Sequence, residues 1–197
     1  PNLANITVSG GRANLSAALA YLKKPEPEPD QISLYPGWNH VSIAKRLKAG
    51  NDTAFDLFGQ ITNTSGHSVL KYAHANWTTV PAEEKITPLS SYWIYSGESQ
   101  NITPKSDPNQ SGTYSRDMEN GWNGFGVVGT GYESAKTNLI PLGDNWTYVI
   151  GYDAQSQMYD EPILRNGTGN QSDSRILVPW QGYRLYTTRN VTYQVTI

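Results

Sequence analysis

The stretch Pro36-Gly37-Trp38-Asn39-His40-Val41-Ser42 organises this chain, because it recurs as Asn120-Gly121-Trp122-Asn123-Gly124-Phe125-Gly126. After each copy come, in the same order, a short amphipathic run, an apolar strand and a Tyr-rich strand. The motif Trp precedes the first Tyr of that last strand by 54 positions in the first copy and by 61 in the second, so we expect an insertion near residues 166–174. Such self-similarity predicts a tandem pair of small modules.

The Gly-Trp-Asn triplet is expected to be architectural rather than catalytic. Gly suits a turn, Asn is able to hydrogen-bond its own backbone at a turn, and Trp is a large apolar anchor. We therefore predict that Trp38 and Trp122 point inward and that Asn39 and Asn123 close the turns beside them.

The composition favours strands. The 197 residues include 13 Tyr and six Trp with many Thr, Ser, Gly and Asn, which is typical of strands and turns. We predict a mainly β fold made of two tandem small β-rich modules, each with a short helix, plus additional N- and C-terminal strands. The predicted boundaries are 1–30 for an N-terminal strand segment and Pro-rich connector, 31–104 for the first module, and 105–197 for a linker, the second module and a C-terminal strand.

Local patterns place elements within these modules. Asn51-Asp52-Thr53 predicts the start of a helix of about two turns, with a matching helix at 135–140. The apolar stripe of the first helix is predicted to be Phe55, Leu57 and Phe58. A hairpin is expected around His74-Ala75. Residues 105–121 are polar and are predicted to be a linker, and the strand at 190–197 is expected to lie outside the repeat.

Charge and residue usage argue against several classes of function. The net charge is −2 and 16% of the residues are charged, so the chain lacks the electrostatic footprint of a nucleic-acid-binding protein and the polybasic patch of a membrane-surface protein. No apolar run approaches the ~18 residues of a spanning helix. Cys is absent and the three His lack metal-ligand spacing, so we predict no metal and no cofactor apart from covalent N-linked glycans.

Motifs for catalysis are also missing. The sequence has neither a nucleophile elbow nor a phosphate-binding loop, and we predict that the chain is not an enzyme. A hydrolase would need two carboxylates in one cleft, for example from Asp153, Asp160 and Glu161. The loops at 106–109 and 143–145 each supply one carboxylate, which is few for calcium.

The chain is rich in acceptor sites for N-linked sugar. Asn-x-Ser/Thr without a middle Pro occurs at eleven of 16 Asn, against about three expected from the Ser and Thr content. The acceptors are Asn5, Asn14, Asn51, Asn63, Asn76, Asn101, Asn109, Asn145, Asn166, Asn170 and Asn190. This excess predicts a glycosylated protein that is secreted to the extracellular cell surface.

Strand alternation is expected to direct these sugars outward. In a strand, the Asn and the hydroxyl residue two positions later share one face, and the middle residue points to the other. The large apolar middle residues are Ile6, Leu15, Trp77, Ile102, Trp146 and Val191. We predict that they point inward. The same alternation predicts one shared face for Trp146, Tyr148, Ile150 and Tyr152.

The order of motifs resembles that in the repeated modules of methanogenic archaeal cell-surface proteins. The shared features are Pro-Gly-Trp-Asn, an apolar strand with Tyr, Pro-Leu-x-x-Tyr-Trp-Ile-Tyr, a second Gly-Trp-Asn and Gly-Tyr-x-Leu-Tyr, over roughly residues 34–186. The resemblance implies a secreted component of an archaeal envelope or surface structure. It brings no catalytic residues with it.

The leading hypothesis is a structural glycoprotein that assembles with itself, as a filament, sheath or surface layer, with other envelope glycoproteins as further candidate partners. Strands outside the modules have alternating faces and would gain a ladder of main-chain hydrogen bonds by adding to a neighbour's sheet. The residues of these assembly strands are Ile6, Val8, Leu15, Leu19, Val191, Tyr193 and Val195. The leading segment is favoured, because the connector at 25–29 would let it reach away from its own modules.

The second hypothesis is a secreted carbohydrate-binding or adhesive module. It requires at least two coplanar aromatic side chains that face solvent, for instance Trp180 and Tyr183.

Overall fold

The computed structural model describes residues 30–197, which are mainly β as predicted. The first group of elements comprises β1 (Ile32–Leu34), β2 (Gly37–Ser42), α1 (Ala54–Phe58), β3 (Leu70–Ala73), β4 (Asn76–Thr79), β5 (Ser91–Ser96) and β6 (Gln100–Ile102). The second group comprises β7 (Thr113–Met118), β8 (Gly121–Phe125), β9 (Glu133–Ser134), α2 (Ala135–Asn138), β10 (Trp146–Asp153), β11 (Met158–Tyr159), β12 (Ile163–Leu164), β13 (Ile176–Leu177), β14 (Tyr183–Thr187) and β15 (Val191–Thr196). The predictions for the leading strands and the connector lie outside the described residues, as do Asn5, Asn14, Ile6, Val8, Leu15 and Leu19.

The strand pairs of the described chain are antiparallel and follow the same plan in both groups. One sheet has the order β2-β5-β3-β4, and the other has the order β8-β14-β10-β11, with β12 also paired to β10. The outer pairs are β1–β6 in the first module and β7–β15 in the second. The inner pairs are β2–β5 and β8–β14. The repeat in the sequence is therefore a repeat of the fold.

This plan places the final strand inside the repeat, so the expectation that residues 190–197 lie outside it is wrong. β15 pairs with β7 as β6 pairs with β1. β7 itself occupies the stretch that was expected to be a linker, with Tyr114 and Met118 buried among polar neighbours. Two inward apolar residues in a six-residue strand give a weak alternating signal, which explains why the sequence pattern indicated a linker.

The Gly-Trp-Asn triplet builds the same turn in both modules. Gly37 and Gly121 both have a φ of 104°, a conformation that glycine adopts without a Cβ clash. Asn39 is buried, and its amide donates to the carbonyl oxygens of Tyr35 and of the motif Gly at 2.8 and 3.0 Å. Asn123 makes the same two bonds, four and two residues back, at 2.8 and 3.1 Å. The predicted closure of the turn by Asn is confirmed.

Both predicted helices are present and short. The hydroxyl of Thr53 accepts from the N–H of Asp56 at 3.2 Å, and the Asp56 carboxylate accepts from the N–H of Thr53 at 3.0 Å, so the pair forms a capping box. α1 has five residues rather than two turns. Leu57 and Phe58 are buried, but Phe55 is 70% exposed and does not belong to the apolar stripe. No helix among residues 30–197 is long and apolar enough to cross a membrane.

A β-bulge reverses the facing of β10. Its register against β14 shifts between Trp146 and Tyr148, and a bulge displaces the alternation of side chains by one residue. Trp146 is buried in the core, whereas after the shift Val149 points inward and Tyr148 and Tyr152 are half-buried on the other face. The predicted shared face of Trp146 with Tyr148 and Tyr152 is therefore wrong.

Each module has its own core, and each core receives one residue from the other module. Leu89, in the loop before β5, is fully buried in the second core, and Trp180, in the equivalent loop before β14, is buried in the first. Both have left-handed backbones, with φ of 67° and 68°. The N–H of Gly126 donates to the Leu89 carbonyl at 3.1 Å, and the N–H of Ser42 donates to the Trp180 carbonyl at 2.8 Å. The modules thus interlock reciprocally.

The modules approach each other closely where His40 meets Gly182. The N–H of Gly182 donates to the His40 carbonyl at 2.9 Å. The imidazole stacks on Trp93 with ring centroids 4.6 Å apart, and its Nε2 lies 2.9 Å from Ser91 Oγ. Burial, reinforced by the charge of Arg184, lowers the pKa of His40 to about 3. The imidazole is thus held neutral at the joint between the modules.

Candidate functional site

The β1 groove is a cavity of about 520 Å³ between the two modules. One wall is β1, which pairs with β6, and the opposite wall is β13, which pairs with β9. Neither β6 nor β9 lines the groove, so it runs along edges of β1 and β13 that no described strand occupies. An unpaired strand edge is able to form main-chain hydrogen bonds with an added strand.

The β7 groove is a second cavity lined by both modules, with a volume of about 560 Å³. Its walls are β7 and residues 85–88. A bridge between Thr53 and Lys85 holds the second wall, as the pairing of β9 with β13 does in the β1 groove. The repeat therefore produces two grooves of similar construction.

The two grooves differ in chemistry. Tyr35 and Ile176, which line the β1 groove, are 38% and 46% exposed. The β7 groove carries more basic groups and contains an ion pair, with Lys85 Nζ 2.5 Å from Asp52 Oδ1. The hydrogen bond from Lys85 lowers the pKa of Asp52. Asp153, Asp160 and Arg175 also line the β1 groove, so a strand bound in either groove would cover charged groups. The exposed apolar contacts at Tyr35 and Ile176 are what suit the β1 groove to an apolar strand.

The aromatic residues expected to face solvent as a sugar platform are instead buried beneath the β1 groove. Trp180 and Tyr183 are 6% and 3% exposed. The Tyr183 hydroxyl accepts from the N–H of Val178 at 2.6 Å and donates to Gln181 Oε1 at 3.1 Å, and burial raises the pKa of Tyr183. The proposed exposure of this pair is wrong, because the loop before β14 turns Trp180 into the first core.

The candidate carboxylates for a hydrolase are only partly brought together. Asp153 and Asp160 both line the β1 groove, whereas Glu161 does not. Asp153 accepts hydrogen bonds from Ser156 Oγ (2.7 Å) and from the N–H of Gln155 (2.9 Å), and the bond from Ser156 lowers its pKa. A glycosidase general acid needs a raised pKa instead, so that it keeps its proton near neutral pH.

The acceptor Asn residues of the described chain lie at the surface. Seven are exposed: Asn63, Asn76, Asn101, Asn109, Asn166, Asn170 and Asn190. The remaining two, Asn51 and Asn145, are half-buried. None of these nine lines either groove. The described acceptor sites therefore lie outside the walls of both grooves.

The middle residues of these acceptor sites follow the expected facing with one exception. Ile102 and Trp146 are buried, and Val191 is half-buried. Trp77 is 45% exposed, so its predicted inward position is wrong. The reason is that β4 is the outer strand of its sheet, where the face opposite Asn76 is only partly covered by the second module.

The C-terminal assembly residues lie in a strand that is already paired within the chain. Val191, Tyr193 and Val195 oppose Met118, Arg116 and Tyr114 of β7. Tyr193 is buried, its hydroxyl donates to the Asn138 carbonyl at 2.8 Å, and burial raises its pKa to about 12. This strand closes its own module along that edge.

The Trp93 cleft is a second, aromatic cavity, of about 250 Å³. It is lined by Trp38, Leu70, Trp77, Trp93 and Tyr159. Trp93 is buried at 9% exposure. Trp38 and Trp77 stand at 66° and 86° to its ring, with centroids 6.5 and 6.2 Å away. Neither motif Trp is an inward anchor, since Trp38 and Trp122 are both half-buried.

The remaining His residues do not converge. His67 packs on Trp38 with centroids 5.0 Å apart, and His74, in the predicted hairpin turn, pairs with Glu119. Residues 30–197 contain no group of three or more His, Cys, Asp or Glu side chains arranged to hold a metal ion.

Comparison with known proteins gives no match to a family model, to a curated protein or to a solved structure.

Proposed function

We propose that this chain is a structural glycoprotein of an archaeal extracellular surface assembly, and that its subunits are joined by β-strand addition. The observation that supports the proposal best is the β1 groove, which lies between two strand edges that no described strand occupies. Such edges favour pairing with another chain unless they are covered.

The sequence supplies a segment suited to this groove. Ala13, Leu15, Ala17, Leu19 and Tyr21 alternate with other residues, and a strand carrying them would present one apolar face. The groove offers exposed apolar contacts at Tyr35 and Ile176. The alternating Pro residues that follow this segment predict an extended connector of about 3.1 Å per residue. A connector of this kind suits a segment that leaves its own modules and enters the groove of the next subunit.

The distribution of acceptor Asn supports the same proposal. Sugars on the nine described sites would be attached outside the groove walls, because none of these Asn lines a groove. Mass spectrometry of tryptic peptides from the native protein tests this part. Hexose-containing mass additions are expected at most of these sites, and unmodified Asn at all of them would contradict the glycoprotein assignment.

Deletion and substitution test the assembly. Electron microscopy and analytical ultracentrifugation of the full chain are expected to show polymers that disappear on deletion of residues 1–24. Ile176→Lys should have the same effect, because it places a charge in the groove at a residue that is 46% exposed. The matched control is Ile140→Lys, at a 68% exposed Ile outside the groove. Polymers that persist in both the deletion and the Ile176→Lys variant would refute strand addition.

The absence of Cys allows a direct test of the donor and acceptor. In the double variant Leu19→Cys/Ile176→Cys, oxidation is expected to give a ladder of disulfide-linked multimers on a non-reducing gel. Each single variant serves as the control and should give dimers at most. A disulfide confined to the monomer would show that the segment fills its own groove, which would overturn the inter-subunit proposal.

A further inference from the structure

The Trp93 cleft has the shape of a slot for one small ring. The floor is formed by Trp93 and Leu70, and Trp38 and Trp77 stand as walls on either side. Tyr159, from the second module, closes part of the remaining side with its centroid 6.1 Å from that of Trp93. Trp77 and Tyr159 are 45% and 52% exposed, so the cleft opens to solvent between them. Its volume of about 250 Å³ is smaller than the ~300–1,000 Å³ of sites for drug-sized ligands.

The two modules differ at the residue that forms the floor of this cleft. Trp93 and Arg184 occupy equivalent positions in β5 and β14. The Arg184 guanidinium lies over the rings of Trp77 and Trp122, 5.2 and 5.1 Å from their centroids. The second module thus has a cation beside its motif Trp at the position where the first module has Trp93.

The charges around the cleft indicate a neutral ligand. Among residues 30–197, no charged side chain lines it. An aromatic cage also suits a quaternary ammonium group, but Arg184 already places a positive charge against the Trp77 ring. No carboxylate from the described part of the chain lines the cleft to offset a second positive charge. A ligand with an apolar face for the indoles and polar groups for the open mouth satisfies these constraints.

We propose that the Trp93 cleft binds a single hexopyranose ring of a glycan. The C–H face of such a ring packs on indole, and its hydroxyl groups remain hydrated at the mouth of the cleft. The sugar does not come from the adjacent acceptor site of the same subunit. Asn76 and Trp77 are consecutive in β4 and point to opposite faces of the sheet, so a glycan on Asn76 leaves from the other side. The site is independent of the β1 groove and of strand addition.

Titration with defined oligosaccharides tests the site. The full chain, produced without glycans, is titrated with maltohexaose, cellohexaose, chitohexaose and mannohexaose, and binding is followed by tryptophan fluorescence and calorimetry. At least one sugar is expected to bind, and Trp77→Ala should weaken that binding by about tenfold or more. This substitution leaves the Asn76 acceptor motif intact. The matched control is Phe55→Ala, which removes a 70% exposed aromatic side chain outside the cleft and should leave binding unchanged.

A mixing experiment distinguishes the two sources of the sugar. Both chains carry Ile176→Lys, so that strand addition through the β1 groove does not join them. If the ligand is the N-linked glycan of a neighbouring subunit, glycan-free chain should bind immobilised glycosylated chain, and Trp77→Ala should abolish the interaction. If the source is a separate polysaccharide, the oligosaccharides bind and the glycosylated chain does not. The proposal is overturned if neither binds, or if Trp77→Ala changes self-association while no sugar binds, because the cleft would then be a protein contact. The Leu19–Ile176 cross-link should be unaffected by Trp77→Ala.

Discussion

The reciprocal insertion of Leu89 and Trp180 predicts that the two modules unfold together. Leu89 is fully buried in the core of the second module, and Trp180 is 6% exposed in the core of the first. Leu89 belongs to the first module in sequence, so Leu89→Ala changes the first module but leaves a cavity in the core of the second. The same holds for Trp180→Ala in the opposite direction. If both cores depend on both modules, either substitution should lower the free energy of unfolding of both modules together.

The expected magnitude follows from burial. Truncation of a fully buried Leu to Ala costs about 3 kcal/mol, and truncation of a buried Trp costs about 4 kcal/mol. Ala keeps the left-handed backbone that Leu89 and Trp180 adopt, so the cost of that conformation remains in both variants. In a chain of this length about 1 kcal/mol lowers Tm by about 2–4 °C. Leu89→Ala should thus lower Tm by about 6–12 °C, and Trp180→Ala by slightly more.

Differential scanning calorimetry of the full chain provides the measurement. The expected result is one cooperative transition that moves as a whole in both variants. Ile140→Ala and Phe55→Ala are the controls, since these residues are 68% and 70% exposed, and each should change Tm by less than about 2 °C. Two separate transitions, of which each variant shifts one, would refute the interlocked arrangement and favour independent modules.

Three further predictions concern the turn motif and the contact between modules. Asn123→Ala should lower the free energy of unfolding by about 2–3 kcal/mol, because it removes two hydrogen bonds to backbone carbonyls; the exposed Asn120→Ala is the control in a urea titration. The folded pKa of His40, about 3, lies below its unfolded value of 6.5, so the unfolded state alone binds the proton and stability falls as the pH drops from about 6.5 towards 3. His40→Asn should flatten this dependence in urea titrations between pH 5 and 7, and an unchanged slope would contradict the assignment. Gly182→Ala should cost about 1–3 kcal/mol by overpacking, since the added Cβ would lie 2.5 Å from the His40 ring and 2.9 Å from its backbone carbonyl carbon. In a double-mutant cycle, His40→Ala should recover the part of this loss that comes from the ring, and strict additivity would count against the contact.

Short-range patterns in the sequence were sufficient for much of the local structure. The paired Gly-Trp-Asn triplets, the hairpin at His74-Ala75 and the cap at Thr53 were all predictable, because each depends on residues within about four positions. β7 was missed because two inward residues give too little alternation. The bulge in β10 was missed because it is defined by the register of β10 against β14, which lies far away in the sequence. Its one extra residue reverses the facing of the side chains that follow it.

The sequence by itself determined the β-rich class, the duplication and the density of glycan acceptor sites, because these depend on composition and on local repetition. Tertiary structure alone decided which surfaces remain available. Trp180 is buried and Trp77 is exposed, although both are Trp in strand-rich stretches. The difference arises because the loop before β14 carries Trp180 into the other module, whereas β4 lies at the outer side of its sheet. Such placements depend on contacts between residues far apart in the chain, which no local pattern records.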